Sequence, residues 1–442
     1  MYKVEKTLLC RTVFAVVLLA VFSAVQLRGQ NIDALSSYSP YSLFGVGKMF
    51  NEGSAYNYSM GGIGIGMRDN RVINFVNPAS ITARDTLAFM FDFGINEKNQ
   101  YFNDSHTKSA YNIFNMQNIA FTFPIYKSSA FIVGIAPFSD VGYKFQSTET
   151  GTDMVADMGD IKYQQYGTGS IYQLFFGGAV MFFDRISIGA QAIYYFGYMN
   201  KHNDILFNSS SSYSTVLTGY DFKVHGFSGK FGLQYIQPFE KNNSQLVIGG
   251  TYRLGTDMRG DIARYAYASS DTIMYNNVSG SSPLRIADEY GVGLSYRVNS
   301  KWAVGADFIQ QNWHKASFPD QNMFSNFSAS AARYYKAGFE ITPNMYDIRY
   351  YMKRVTYRAG AYYEQSYVKV NGHQVNAFGI TFGASFPIFR WHNAVSVAVD
   401  IGQRGTLRHN LVRERYVNFI VNINLHDVWF VKYRYDQKLT IK

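Results

Sequence analysis

The chain has 442 residues, of which 17% are aromatic and only 16% charged, with a formal charge of +10, 38 Gly and a single Cys. So few charges and so many aromatics exclude a disordered chain, and one cysteine excludes a disulfide scaffold. Beyond the N-terminus no apolar run reaches the roughly 18 residues of a membrane-spanning helix, which excludes a helical membrane protein.

Residues 1–29 read as a secretory signal peptide. Lys3, Lys6 and Arg11 form a positive start, residues 12–25 an apolar core, and small or polar residues follow, with cleavage expected after Gly29. Cys10 precedes the apolar core, so it cannot accept a lipid and leaves with the signal. Four cations and one acid leave too, and the formal charge falls from +10 to about +7. The remaining Lys and Arg are scattered rather than gathered in a basic stripe, which argues against nucleic acid and suits the phosphates of outer-membrane lipid or lipopolysaccharide.

Residues 30–84 are rich in Ser, Asn, Tyr and Gly and show no sustained alternation. From Asp85 the pattern changes. Leu87, Phe89, Phe91, Phe93 and Ile95 share one face, and Ala88, Met90, Asp92 and Gly94 the other, which predicts a strand with one greasy and one small or polar face. The same signature predicts strands near 117–126, 129–137, 168–183, 186–198, 216–237, 245–257, 285–298, 301–313, 333–342, 355–370, 374–387, 394–404 and 415–425, about fourteen in all. Long polar connections (97–116, 138–167, 199–215, 258–284, 314–332, 405–414) alternate with short ones, except that 343–354 is long and 371–373 short. That wiring predicts an all-β fold, a transmembrane antiparallel barrel of about fourteen strands spanning 85–425. A soluble sandwich would need more charge outside, and an open sheet would leave edges that lipid does not tolerate. Tyr194–Tyr195, Trp313, Tyr350–Tyr351, Tyr362–Tyr363, Trp391 and Trp429 suit aromatic girdles.

The run 59–70, SMGGIGIGMRDN, followed by Asn77, Pro78, Ala79 and Ser80, resembles the hatch region of FadL-type outer-membrane transporters. With residues 39–45, SPYSLFG, it looks like a Bacteroidota branch of that family. The resemblance implies that 30–84 plugs the barrel, with Gly61, Gly62, Gly64, Gly66, Asn77, Pro78 and Ala79 in the hatch. It also implies passage of hydrophobic molecules into the lumen and sideways through a break in the third strand. Here Gly134, Pro137 and Gly142 mark a candidate gate, since Pro cannot donate to a ladder and Gly admits a bend; the alternative is that Pro137 begins an external loop.

Other chemistry is thinly supported. Residues 61–66 lack the spacing and the Lys-Ser/Thr of a phosphate cradle, no Cys/His cluster or HExxH points to a metal, and no G-x-S-x-G elbow to an enzyme. No cofactor is expected. Asp92, Lys230, Arg253 and Asp307 are isolated charges on the small or polar face; Asp92, Arg253 and Asp307 either line a pathway or fix the plug. Residues 271–273 and 85–87 match a short O-glycosylation pattern of Bacteroidota envelope proteins, and 426–442 form a periplasmic tail suited to headgroups or a partner.

Two functions stay open. The first is a passive channel for a hydrophobic, fatty-acid-like ligand, with an apolar pocket in the lumen and a lateral opening near 137–142. The second is a non-transporting subunit or shuttle of an envelope machine, as the FadL-related PorV proteins of type IX secretion are, with partner surfaces on the external loops or 426–442.

Overall fold

A computed structural model describes residues 37–428 apart from 86–87, 105–106, 127, 150–160, 208–213, 269–270, 319–325, 389–392 and 410. The signal, the DTL match at 85–87 beyond Asp85, Trp391, Trp429 and nearly all of the tail lie outside the described residues.

Fourteen antiparallel strands close into a barrel, each hydrogen-bonded to its sequence neighbours and the last to the first. They are β1 (Ala88–Asn103), β2 (Lys108–Tyr126), β3 (Ser129–Glu149), β4 (Ile161–Phe182), β5 (Ile186–Phe207) and β6 (Val216–Phe239). Next come β7 (Ser244–Arg253, resuming as Thr256–Ala268) and β8 (Asp271–Ile286, resuming as Glu289–Val298). The circle is completed by β9 (Trp302–Gln311), β10 (Phe327–Ala329 and Ala332–Ile341), β11 (Thr356–Val370), β12 (His373–Pro387), β13 (Ala394–Arg404) and β14 (Arg413–Val428). Closure gives every strand a partner on both sides, the condition a sheet must meet in lipid.

The alternation decides which face meets lipid. In β1 the odd positions Phe89, Phe91, Phe93 and Ile95 point outward, and Ala88, Met90 and Asp92 are buried inward. The same polarity runs around the wall, where Phe176, Ile188, Leu233, Ile248, Val292, Phe339, Phe378, Ile401 and Phe419 stand exposed outside. A belt of this kind is stable only against hydrocarbon.

The strands are longer than their greasy segments. Of the connection expected at 97–116, residues 97–103 and 108–116 are strand, because β1 and β2 continue past the apolar belt with polar residues mixed among aromatic ones such as Tyr101 and Phe114. The short turn at 371–372 is an Asn-Gly hairpin, with φ of 52° and 78°, the pair that such a two-residue turn demands. Trp313 is no girdle residue: it is fully buried, stacked on Tyr367 with ring centroids 4.6 Å apart, and donates its indole N–H to Gln311 Oε1 at 2.8 Å. Tyr195 and Tyr362 likewise turn inward.

Candidate functional site: the wall between β2 and β3 and the filled lumen

The ladder between β2 and β3 runs from Tyr126↔Ser129 to Ile119↔Ile135 and stops there, and no further pair joins the two strands. On its other side β3 stays paired with β4 as far as Glu149, with a bulge between Pro137 and Ser139. The interruption expected at 137–142 is therefore not a break in the third strand. Pro137, which has no N–H to give, is absorbed by a bulge, and the wall opens because β3 leaves β2. Gly134 sits inward just below that point; a methyl there would meet Phe175.

The N-terminal segment takes the place of β2 along this edge. Lys48 and Met49 pair with Asp140 and Ser139 as a two-residue strand. Ser39 donates its N–H to the Gly142 carbonyl at 2.8 Å, and Phe50 donates to Phe138 O at 3.0 Å. The Ser42 hydroxyl also reaches Gly142 O, at 3.0 Å. Gly142 admits this approach because a Cβ would collide with the Ser37 carbonyl. Tyr38 then stacks on Tyr111 of β2, with centroids 4.0 Å apart and planes 5° apart. We call residues 37–50 the strap. Above it, where the strands diverge, lies an open cavity of about 320 Å³ lined by Tyr38, Pro40, Phe102, Tyr111, Tyr143 and Phe145.

The rest of the segment presses on the inner wall. Gly61 and Gly62 have φ of 70° and 82°, and the Gly61 N–H donates to Thr381 Oγ1 at 2.8 Å. Gly64 and Ile65 donate their N–H groups to Asp307 Oδ2 at 2.6 and 2.8 Å, and the Ser295 hydroxyl donates to Gly66 O at 2.7 Å. Asn77, fully buried, donates to Ile65 O at 2.8 Å, and its Oδ1 accepts the Ala79 N–H at 3.0 Å, capping the 3₁₀ turn that Pro78 opens. Inward glycines of the barrel make room: a Cβ at Gly249 would strike the Ile65 carbonyl, one at Gly232 the Asn77 side chain, and one at Gly189 the Pro78 backbone.

Three ion networks fill the lumen around these contacts. Glu52 pairs with Lys230 and, at 3.1 Å, with Arg253, which also holds Glu289 at 2.8 Å. Burial alone would raise the Glu52 carboxyl, but the two cations hold it below the usual carboxylate range. Asp69 is shared by Arg71 and Arg297, and both cations reach Glu340, which also accepts from Arg358. Here too burial is outweighed by the guanidiniums, and Asp69 is driven far down. Glu414 gathers Ser39, Lys48 and Gln100. Asp92 differs: its carboxylate accepts from Asn118 and Asn422 at 2.5 and 2.6 Å, and Asn422 Oδ1 in turn accepts the Ala55 N–H of the segment.

Two cavities in the lumen are polar rather than the apolar pocket expected there. The internal cavities measure about 30 and 60 Å³, and charged side chains, among them Glu52, Lys230 and Arg253 in one and Lys98, Glu364 and Arg404 in the other, line them. Among the described residues no group of three His, Cys, Asp or Glu side chains is placed to hold a metal. Nothing local to the chain singles out the roles of Glu52 and Asp69, because a short-range pattern does not reveal which distant cations a loop carboxylate will meet.

The fold has known counterparts. The toluene transporter TbuX of Ralstonia pickettii superimposes with a TM-score of 0.57 at 15% identity, covering 85% of this chain and 98% of its own. The toluene transporter TodX of Pseudomonas putida gives 0.55 at 14%, covering 88% and 100%. A FadL homologue from Pseudomonas aeruginosa gives 0.54 at 12%, covering 88% and 100%. The resemblance to FadL-type transporters thus holds at the level of the fold, and the closed barrel with its apolar exterior is that of an outer-membrane protein. No curated protein matches the sequence. The family model described as BamG matches residues 10–436, and the chain belongs to the BamG family.

Proposed function

We propose that this barrel lets hydrophobic small molecules cross the outer membrane through its wall rather than along its lumen. The observation that carries this reading is the end of the β2–β3 ladder at Ile119↔Ile135, with a cavity of about 320 Å³ above it in which Phe102, Tyr111, Tyr143 and Phe145 face polar residues such as Asn103, Asp104 and Lys144. A dry protein cavity of about 150 Å³ already takes a benzene ring, so a monoaromatic or a short alkyl chain fits. Burying such a ligand gains roughly 25 cal/mol per Å² of apolar surface and needs no covalent chemistry and no cofactor. The similar solved structures include toluene transporters. Residues 37–84 act as the plug, the hatch residues seat it, Gly134 lies at the end of the ladder, and Pro137 and Gly142 shape the edge that the strap covers.

Release then requires the strap to leave β3. Its hydrogen bonds to β3 contribute about 0.5–1.5 kcal/mol each net, and Tyr41, Phe44 and Val46 are buried behind it, so the opening is a local unfolding of the strap as a unit. The test is a lock: Met49→Cys with Ser139→Cys joins two paired residues. Oxidised, this variant loses uptake of radiolabelled toluene into cells, and reduction restores it. Uptake that is equal in both states refutes the lateral route.

A second reading is favoured by the ion networks that cross the lumen and by the small, charge-lined cavities among them: a barrel that serves as a fixed subunit of an envelope assembly. Native mass spectrometry of gently extracted protein separates the two. A monomer with a bound lipid-like mass supports transport, and a stable complex with an empty barrel supports assembly.

A further inference from the structure

The barrel end that carries the short turns faces the periplasm in barrels of this type. One connection at that end breaks the rule, residues 342–355 between β10 and β11. It is firmly built. Asn344 Oδ1 accepts the Tyr346 N–H at 3.1 Å, Asp347 Oδ1 accepts from the Arg349 and Tyr350 N–H groups at 2.9 and 2.7 Å, and Tyr351 donates its hydroxyl to Pro387 O at 2.9 Å. What it presents is apolar and cationic together: Ile348 is 95% exposed, Tyr346 66% and Met352 58%, with Arg349 and Lys353 exposed beside them. A fixed loop that displays an isoleucine at its tip spends no folding energy on that side chain, which suits a contact surface.

Beside the loop lies an open cavity of about 500 Å³, lined by Tyr346, Met345, Arg68, Arg71, Arg297 and Asp69 among others. Arg71 and Arg297 spend their charge on Asp69 and Glu340. Arg68 does not. It is 9% exposed, donates to Gln234 Oε1 and Met181 Sδ at 3.3 Å each, and makes no ion pair with a carboxylate of the described residues. Burial lowers its pKa to about 10, which leaves it cationic at neutral pH. A buried guanidinium without a counter-charge, on the wall of an open cavity, is an incomplete pair.

We propose that the periplasmic mouth docks an extended acidic segment of a protein partner, with a carboxylate on Arg68 and neighbouring apolar side chains on Tyr346, Ile348 and Met352. The cavity favours a peptide over a lipid headgroup, because its walls are the N-terminal segment and lumen-facing residues such as Arg297, out of reach of a lipid held in the bilayer. The proposal goes beyond the lateral route and stands apart from it, so failure of one leaves the other untouched.

The test uses the full chain in detergent micelles and a fluorescent probe peptide, Leu-Phe-Asp-Leu-Glu, against its Asn/Gln counterpart. The acidic peptide binds about tenfold tighter, as one charge-assisted contact provides. R68Q abolishes that preference while R68K keeps most of it, and I348S, a change at a fully displayed side chain, weakens both peptides. Equal binding of the two peptides, or a preference that survives R68Q, overturns the proposal. An Ile348→Trp variant in phosphatidylglycerol nanodiscs adds a further check: no quenching by doxyl-labelled lipid is expected, and strong quenching would place the loop in the bilayer and overturn it as well.

Discussion

The backbone N–H of Ser39 lies 2.8 Å from the Gly142 carbonyl, so a residue of the N-terminal strap occupies the bonding edge of β3 where β2 would otherwise stand. The barrel is closed at its foot by strand pairing and, above Ile119 and Ile135, by its own N-terminal segment. A seal made by a segment of the same chain is held by side-chain contacts such as Tyr41 to Val412 O, Tyr367 to Gly47 O and Ser39 to Glu414, and can open without unzipping a ladder.

Two neighbouring glycines report how tightly the segment is seated. Gly249→Ala places a methyl against the Ile65 carbonyl, whereas around Gly250 nothing lies within 4 Å of a new Cβ. Gly249→Ala should make 37–84 accessible to trypsin, and Gly250→Ala should leave digestion unchanged. Equal protection of both variants would mean that the segment does not press on the wall.

Asp307 holds the 64–65 turn through two backbone N–H groups. Asp307→Ala orphans both donors and should cost about 2–6 kcal/mol in urea unfolding, from about 1–3 kcal/mol per unsatisfied buried group. Asp307→Asn retains an acceptor oxygen and should cost less. Identical losses would assign the effect to side-chain volume rather than to the hydrogen bonds.

Acid should loosen the segment late. Glu52 and Asp69 are both held below the ordinary carboxylate range by their cations. Depressed carboxylates contribute stability that is complete above the unfolded-state pKa of about 4 and is lost as pH falls toward the folded values. Cleavage of 37–84 by an acid-active protease such as pepsin should therefore stay low down to about pH 4 and rise only below it. Glu52→Gln, which leaves Lys230 and Arg253 without their shared partner, should lower protection already at neutral pH.

Much of the architecture was legible in the chain itself. The outward Phe89, Phe91, Phe93 and Ile95 announce a lipid-facing strand because hydrocarbon imposes a period of two. The signal fades at 97–103, where β1 leaves the bilayer and both faces meet polar surroundings, so the long loops expected there are largely strand. Pro137 marks a bulge in β3, but the loss of β2 as a partner is a matter of register between strands and leaves no mark on either one alone. Trp313 shows the same limit. An aromatic at a strand end looks alike in a girdle and in a buried cluster, and only its neighbours Tyr367 and Phe318 decide.

The most direct measurement is a disulfide scan across the wall. Phe121→Cys with Val133→Cys joins registered partners below the divergence and should oxidise readily. Tyr111→Cys with Tyr143→Cys would occupy partner positions if the same register continued upward, yet both residues line the cavity of about 320 Å³, and this pair should remain reduced. Efficient bridging of both pairs would show a continuous β2–β3 ladder and contradict the lateral opening.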